Sequence, residues 1–180
     1  MSQEQHLHAQ RAINKIKEIA GHAPVCLFQT KLGQRPIPTR PMHTAEVDDN
    51  GHLWFLASVT GSGAAQLRED PVVQLLFAHA DEAEYMSIHG RATVVQDPTR
   101  IHELRELIPA GALDLTMPEE ADAELCAIKV VPQDSYYWDA AENRGKSMVR
   151  MMVAGVFGQT GNAAVKGRLD APPTARNRTD

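Results

Sequence analysis

Between Thr60 and Arg68 the chain reads Thr-Gly-Ser-Gly-Ala-Ala-Gln-Leu-Arg, a glycine-rich turn that opens a short helical run. Free backbone N–H groups at a helix start, aided by the Ser62 hydroxyl, suit an anion such as a phosphate. The same pattern also ends a strand with nothing bound. The other reactive side chains are scattered. Eight histidines are present, but His6 and His8 are two apart in a helical run and do not share a face. His43, His52, His79 and His89 fall on separate strands without a carboxylate at evident ligand spacing, so no metal site is expected. No nucleophile elbow, Cys–His pairing or paired-carboxylate signature occurs, and no catalytic residue is assigned. Asp114, Glu119, Glu120, Asp122 and Glu124 read as a solvated acidic face. Chemistry would therefore come from a bound cofactor.

The elements that position these residues follow from pattern. Leu7, Ala9, Ala12, Ile13, Ile16, Ile19 and Ala20 recur at near-helical spacing, predicting an amphipathic helix over Gln3–His22. Val25–Thr30 reads as a strand. Ile37–Val47 is a second extended segment, since Pro36, Pro38 and Pro41 each exclude helix at the preceding residue. Asp48-Asp49-Asn50-Gly51 signals a tight hairpin turn. His52–Ser58, Val72–His79, Tyr85–Val95 and Leu125–Tyr137 complete six strands, with Gly90 marking a bulge or close backbone approach. Asp97-Pro98 starts a helix that runs to about Leu107. Gly145–Val156 fits a helix or a final strand. The expected fold is mainly β with helices: a small six-stranded antiparallel β-barrel with peripheral helices over residues 1–158. Residues 159–180 read as a disordered tail.

Bulk properties narrow the function classes. The chain has 180 residues, 43% hydrophobic and 23% charged, enough for one domain with a substantial core. Its formal net charge of −5 offers no basic field for nucleic acid. The locally basic end, with Lys166, Arg168, Arg176 and Arg178, lacks aromatic stacking platforms. The two cysteines, Cys26 and Cys126, sit among apolar neighbours as free thiols of a reducing compartment. There is no signal-peptide pattern, and no window approaches the roughly 20 apolar residues of a membrane helix. A cytoplasmic protein is expected.

Four ordered blocks then carry a resemblance: Thr39-Arg40-Pro41-Met42, Asn50-Gly51-His52-Leu53-Trp54-Phe55-Leu56, Tyr85-Met86-Ser87-Ile88-His89-Gly90-Arg91-Ala92, and Tyr136-Tyr137-Trp138-Asp139. Together they resemble the general stress protein branch of the pyridoxamine 5′-phosphate oxidase-like split barrels, over about Ile13 to Val153, which implies that the barrel is a six-stranded antiparallel split β-barrel. The resemblance implies a flavoprotein homodimer with FMN in grooves between subunits, FAD, deazaflavin or haem being alternatives. Arg40 would pair with the phosphate, beside Thr39, and Pro41 and Met42 would lie near the ring. Phe55, Leu56, Ala57 and Ser58 would line the other side, with Ser62 and Gly63 at the phosphate turn and Trp138 at the groove. The implied function is a flavin-dependent oxidoreductase of the stress-protein type, acting on a small molecule that the sequence does not identify. The alternative is a dimeric binding or structural protein whose flavin affinity is weakened. The resemblance implies lysine at Gly63, or at Ala64 with the turn shifted, threonine at Ala57, and Trp-Phe where Leu107-Ile108 stands. Were His89 to face the flavin, it would replace a missing polar contact.

Overall fold

The structure is a computed structural model that describes residues 4–7, 9–112, 124–139 and 165–169. In chain order the elements are β1 (Glu4–Leu7), α1 (Ala9–His22), β2 (Val25–Gln29), β3 (Thr39–His43), β4 (Glu46–Val47), β5 (Leu53–Ser58), α2 (Ser62–Glu69), β6 (Val72–His79), β7 (Glu84–Val95), α3 (Pro98–Leu107), β8 (Leu125–Asp139) and β9 (Val165–Leu169).

The sheet runs β1-β9-β8-β7-β6-β2-β3, and β5 pairs with both β8 and β4. Strand β8 is 15 residues long. Its first half lies between β5 and β7, and its second half between β7 and β9. One long strand shared in this way lets the sheet curl into a split barrel. All pairings are antiparallel except β1 with β9.

Two strand expectations change. The Pro-rich segment expected as one strand divides at Thr44-Ala45 into β3 and β4, because Thr44 donates its N–H to Pro24 while Ala45 turns to Trp54. The barrel thus has seven strands instead of six, and β1 and β9 add a terminal pair. The opening helix starts at Ala9, not Gln3, because Glu4–Leu7 pairs with Val165–Leu169. That last stretch falls within the segment read as a tail; the remainder of 159–180 and the Gly145–Val156 reading lie outside the described residues.

The amphipathic stripe of α1 closes the barrel interior. Ala12, Ile16, Ile19 and Ala20 join Phe28, Met42, Leu53, Phe55, Leu75 and Ile88 in the main core. Each such side chain contributes roughly 1.5–3 kcal/mol on full burial for the larger apolar types. A second cluster seats Leu104 and Ile108 on Leu56 and Ala127, fixing α3 across β5 and β8. Helix α3 begins where expected: the Asp97 carboxylate accepts from the Thr99 and Arg100 N–H groups, and Pro98 occupies the first turn.

The glycine signals are borne out with one refinement. At the β4–β5 hairpin only Gly51 is left-handed, at φ 78°, while Asn50 is not. The Gly51 N–H bonds the Asp48 carbonyl at 3.0 Å. This is a turn closed by a single glycine, not a pair of positive-φ residues. At Gly90 the β7–β8 register slips, and a Cβ there would lie 2.6 Å from the Val131 carbonyl oxygen. Bulge and close approach are both present. Cys26 and Cys126 are free and buried. Among the described residues no helix is long and apolar enough to cross a membrane.

Candidate functional site

The site is built where β3, β5 and the start of α2 meet. In β3 alternate residues face opposite ways: Thr39 and Pro41 are exposed, whereas Arg40 is half-buried and Met42 is buried. Register places Arg40 opposite Phe28 and Met42 opposite Cys26, so both project to the inner side of the curled sheet. Strand β5 then delivers Leu56, Ala57 and Ser58 to the opposing wall. The chain turns at Gly61, and α2 begins with its N-terminus directed at Arg40.

The result is a pocket of about 270 Å³. Its apolar wall is Phe28, Met42, Leu56, Ala57 and Ile128, and its polar end is Thr30, Arg40, Ser58, Gly61, Ser62 and Gly63. No side chain caps α2. The first intrahelical bond is from the Ala65 N–H to the Gly61 carbonyl at 3.3 Å. The N–H groups of Ser62, Gly63 and Ala64 therefore point out of the helix end, where the dipole is positive. The Ser58 and Thr60 hydroxyls lie 3.1 Å apart beside this turn.

Arg40 is held over the same end. Its Nη2 donates to Gln66 Oε1 at 2.5 Å, and the same oxygen accepts from the Thr30 hydroxyl at 2.6 Å. Among the described residues no carboxylate pairs with this guanidinium. Burial alone lowers its pKa from the usual arginine value, the mark of a desolvated cation that gains from an anion. Gly63 makes the arrangement possible, because a Cβ there would overlap the Arg40 Nη1 position.

Of the residues implied by the resemblance, Arg40, Met42, Leu56, Ala57, Ser58, Ser62 and Gly63 converge on the pocket. Thr39 and Pro41 lie on the opposite face of β3. Phe55 is fully buried and packs edge-on against Phe28, with ring centroids 5.3 Å apart, so it supports the wall from within the core. Its neighbour Trp54 turns outward to Asp48, with Arg100 4.4 Å above its ring. Trp138 pairs with Tyr85 in the β7–β8 ladder, away from the pocket. His89 lies between Gln74 and Asp134 in the ladder and does not line the pocket.

Two participants were not singled out from sequence, Thr30 and Gln66. The α2 periodicity carries a signal for Gln66, one turn beyond Ser62 and so on the same face. Thr30 has none, because its role depends on the packing of β2 against α2. Among the described lining residues there is no carboxylate, imidazole, thiol or amine. The arrangement can bind an anion joined to a flat apolar body, but it offers no acid–base pair of its own.

The family model described as pyridoxamine 5′-phosphate oxidase like matches residues 11–162. Among solved structures, the fold is similar to that of a candidate general stress protein 26 from Jannaschia sp. CCS1, with TM-score 0.62 and 14% identity, covering 91% of this chain and 99% of that one. It is also similar to a pyridoxamine 5′-phosphate oxidase-related, FMN-binding protein from Nostoc punctiforme PCC 73102, with TM-score 0.55, 18% identity and coverage of 79% and 89%. General stress protein 26 from Bacillus anthracis str. Sterne aligns with TM-score 0.54, 18% identity and coverage of 73% and 94%. No curated protein matches the chain.

Proposed function

Because the chain belongs to the pyridoxamine 5′-phosphate oxidase-like family, we propose that it is an FMN-binding split-barrel protein, a flavin-dependent oxidoreductase of the general stress protein type. The observation that carries the reading is the half-buried Arg40 guanidinium, without a carboxylate partner among the described residues, facing the uncapped N-terminus of α2 at the end of an apolar-walled pocket. Arg40, the Ser62 hydroxyl and the N–H groups of α2 would hold the phosphate, and Met42, Leu56 and Ala57 would face the flat ring. A guanidinium contributes paired donors to phosphate oxygens, and the helix end adds N–H groups and a favourable field. Gln66 keeps the guanidinium oriented by accepting from one nitrogen.

A bound flavin supplies hydride or electron transfer. The chain's own part is to bind, orient and exclude water. The pocket of about 270 Å³ lies just below the roughly 300–1,000 Å³ typical of small-molecule sites. One subunit therefore encloses part of such a ligand, which supports a homodimer in which a second copy completes the groove. Thr39 and Pro41, on the far face of β3, would then meet the partner. FAD or a deazaflavin would use the same phosphate end. The free buried thiols fit a reducing cytoplasm.

The test is an FMN titration of the purified chain, followed by flavin fluorescence and absorbance. Stoichiometric uptake is expected. Arg40→Gln should cost about 1.5–3 kcal/mol of binding, roughly ten- to a hundredfold in Kd, as for a hydrogen bond to a charged group. Absence of uptake at micromolar FMN would instead favour a dimeric binding or structural protein, a reading supported by glycine at position 63, where the resemblance implies lysine.

A further inference from the structure

Packing the end of α1 onto the β6–β7 hairpin assembles a second group of side chains, none of which lines the pocket. His22 is the last residue of α1, His79 the last of β6, and Glu84 the first of β7. His79 and Glu84 are cross-strand partners at the hairpin mouth. One potential ligand atom from each of the three residues lies within 4.8 Å of the other two. Both imidazoles present Nδ1 to a single oxygen, Glu84 Oε2, His22 at 2.7 Å and His79 at 3.5 Å. The carboxylate is almost wholly buried, with a 7% exposed side chain.

The arrangement leaves a polar atom unaccounted for. His79 Nδ1 is buried and lacks a hydrogen-bond partner. The His22 ring satisfies Oε2, and the second nitrogen is directed at an oxygen already engaged. Lys15 Nζ approaches the other oxygen, Oε1, at 3.9 Å, leaving Oε2 directed at the two rings.

We infer that His22, His79 and Glu84 form a site for a zinc-class divalent transition metal. Imidazole nitrogen and carboxylate oxygen are the donors that zinc takes, at about 2.0–2.2 Å, and tetrahedral geometry then separates ligand atoms by about 3.3 Å. Modest ring rotations bring the three atoms to that spacing, with the metal entering between His79 Nδ1, His22 Nδ1 and Oε2. Its charge would satisfy the buried nitrogen and the buried carboxylate together. The negative end of the α1 dipole favours a cation at this place. The His22 side chain is 50% exposed, so a fourth coordination position opens to water or a small exogenous ligand. The bound ion would clamp α1 to the hairpin.

The experiment uses the full chain, free of any affinity tag and stripped with a chelator. Zn²⁺ is titrated in competition with a chromophoric chelator, and Co²⁺ is added separately to read ligand-field absorption. One tight equivalent per chain, a tetrahedral-type Co²⁺ spectrum and a higher Tm with metal are expected. His22→Gln changes a half-exposed side chain and should leave the fold intact while weakening Zn²⁺ at least tenfold; His79→Gln should do the same. FMN binding by His22→Gln should match the parent chain, separating this site from the pocket. No Zn²⁺ uptake at micromolar concentration, or uptake unchanged in both variants, overturns the assignment.

Discussion

At the residue scale, Gly63 acts through the room it leaves and not through a side chain of its own. A side chain at this position would meet the Arg40 guanidinium. Glycine lets the Arg40 guanidinium settle over the helix end. Gly63→Ala separates the two properties. The obstructing atom is the far end of a flexible side chain, so the fold can accommodate the methyl by moving Arg40. Alanine also favours helix over glycine by about 0.5–1 kcal/mol. The expected outcome is a Tm unchanged or slightly raised, together with FMN affinity lowered severalfold, checked by thermal unfolding and by titration on one sample. A variant that loses stability and affinity together would show that Gly63 serves the backbone and not the guanidinium. Ser62 and Gly63 were legible in the sequence as a glycine-rich turn at a helix start, a pattern that suits an anion, whereas Arg40 was reached only through the resemblance of the ordered blocks, since an arginine in a Pro-rich extended segment reads by itself as a solvated edge residue. Gln66 and Thr30 were not legible, since a neutral amide and a hydroxyl acquire their role only when β2 packs beside α2 and both reach one oxygen.

At the element scale, the β4–β5 hairpin has a carboxylate as its organiser. Asp48 accepts from the Asn50 and His52 N–H groups at 2.9 and 3.0 Å and from Trp54 Nε1 at 3.0 Å, with His52 Nδ1 at 3.1 Å. Burial alone would raise its pKa; the Trp54, His52 and Asn50 donors outweigh burial and hold it below 3.8, the ordinary value. A depressed carboxyl pKa contributes stability above the unfolded-state value, and that contribution is lost as pH falls through the folded-state value. Asp48→Asn should therefore destabilise the chain by about 1 kcal/mol near neutrality, the cost of leaving part-buried donors poorly met. It should also flatten the acid limb of stability below about pH 4, where the parent chain loses this contribution. Urea unfolding at a series of pH values checks both, and a parallel offset at every pH would exclude the titration argument. The turn's existence was readable from Asp-Asp-Asn-Gly, whereas its geometry was not. Gly51 alone takes a positive φ, and a Cβ there would also crowd Ile13 of α1 at 2.9 Å. Helix packing, not local preference, completes the requirement. The same limit hid the histidine cluster, because His22 and Glu84 are 62 residues apart and meet only once α1 has docked.

At the scale of the whole molecule, strand count and order depended on which half of β8 serves which neighbour, a property no local pattern encodes. An antiparallel barrel was legible from strand spacing and hairpin signals, and its split form only from the resemblance carried by the ordered motif blocks. What the curled sheet leaves uncovered bears on the proposed homodimer. Leu27 and Val25 are 49% and 41% exposed on β2, and Leu27 pairs with Pro41 on one side and Leu76 on the other. This gives an apolar row across β3, β2 and β6 on the face opposite the core, and Pro41 shares β3 with Arg40. A partner covering that row would reach the pocket margin, so dimerisation and flavin binding should be linked. Leu27→Glu places a carboxylate in the row without touching the core, since Cys26 and Phe28 face inward. The parent chain should sediment as a dimer at micromolar concentration and the variant as a monomer, whose Tm is lower and no longer rises with protein concentration because the stabilisation by the partner is lost. FMN affinity should fall with the loss of the dimer, although Leu27 lies outside the described pocket lining. Since a ligand bound only by the dimer stabilises it by mass action, added FMN should also shift the variant partly back to dimer. A Leu27→Glu chain that remains dimeric would place the interface elsewhere. A monomer retaining full FMN affinity would show that one subunit's pocket suffices.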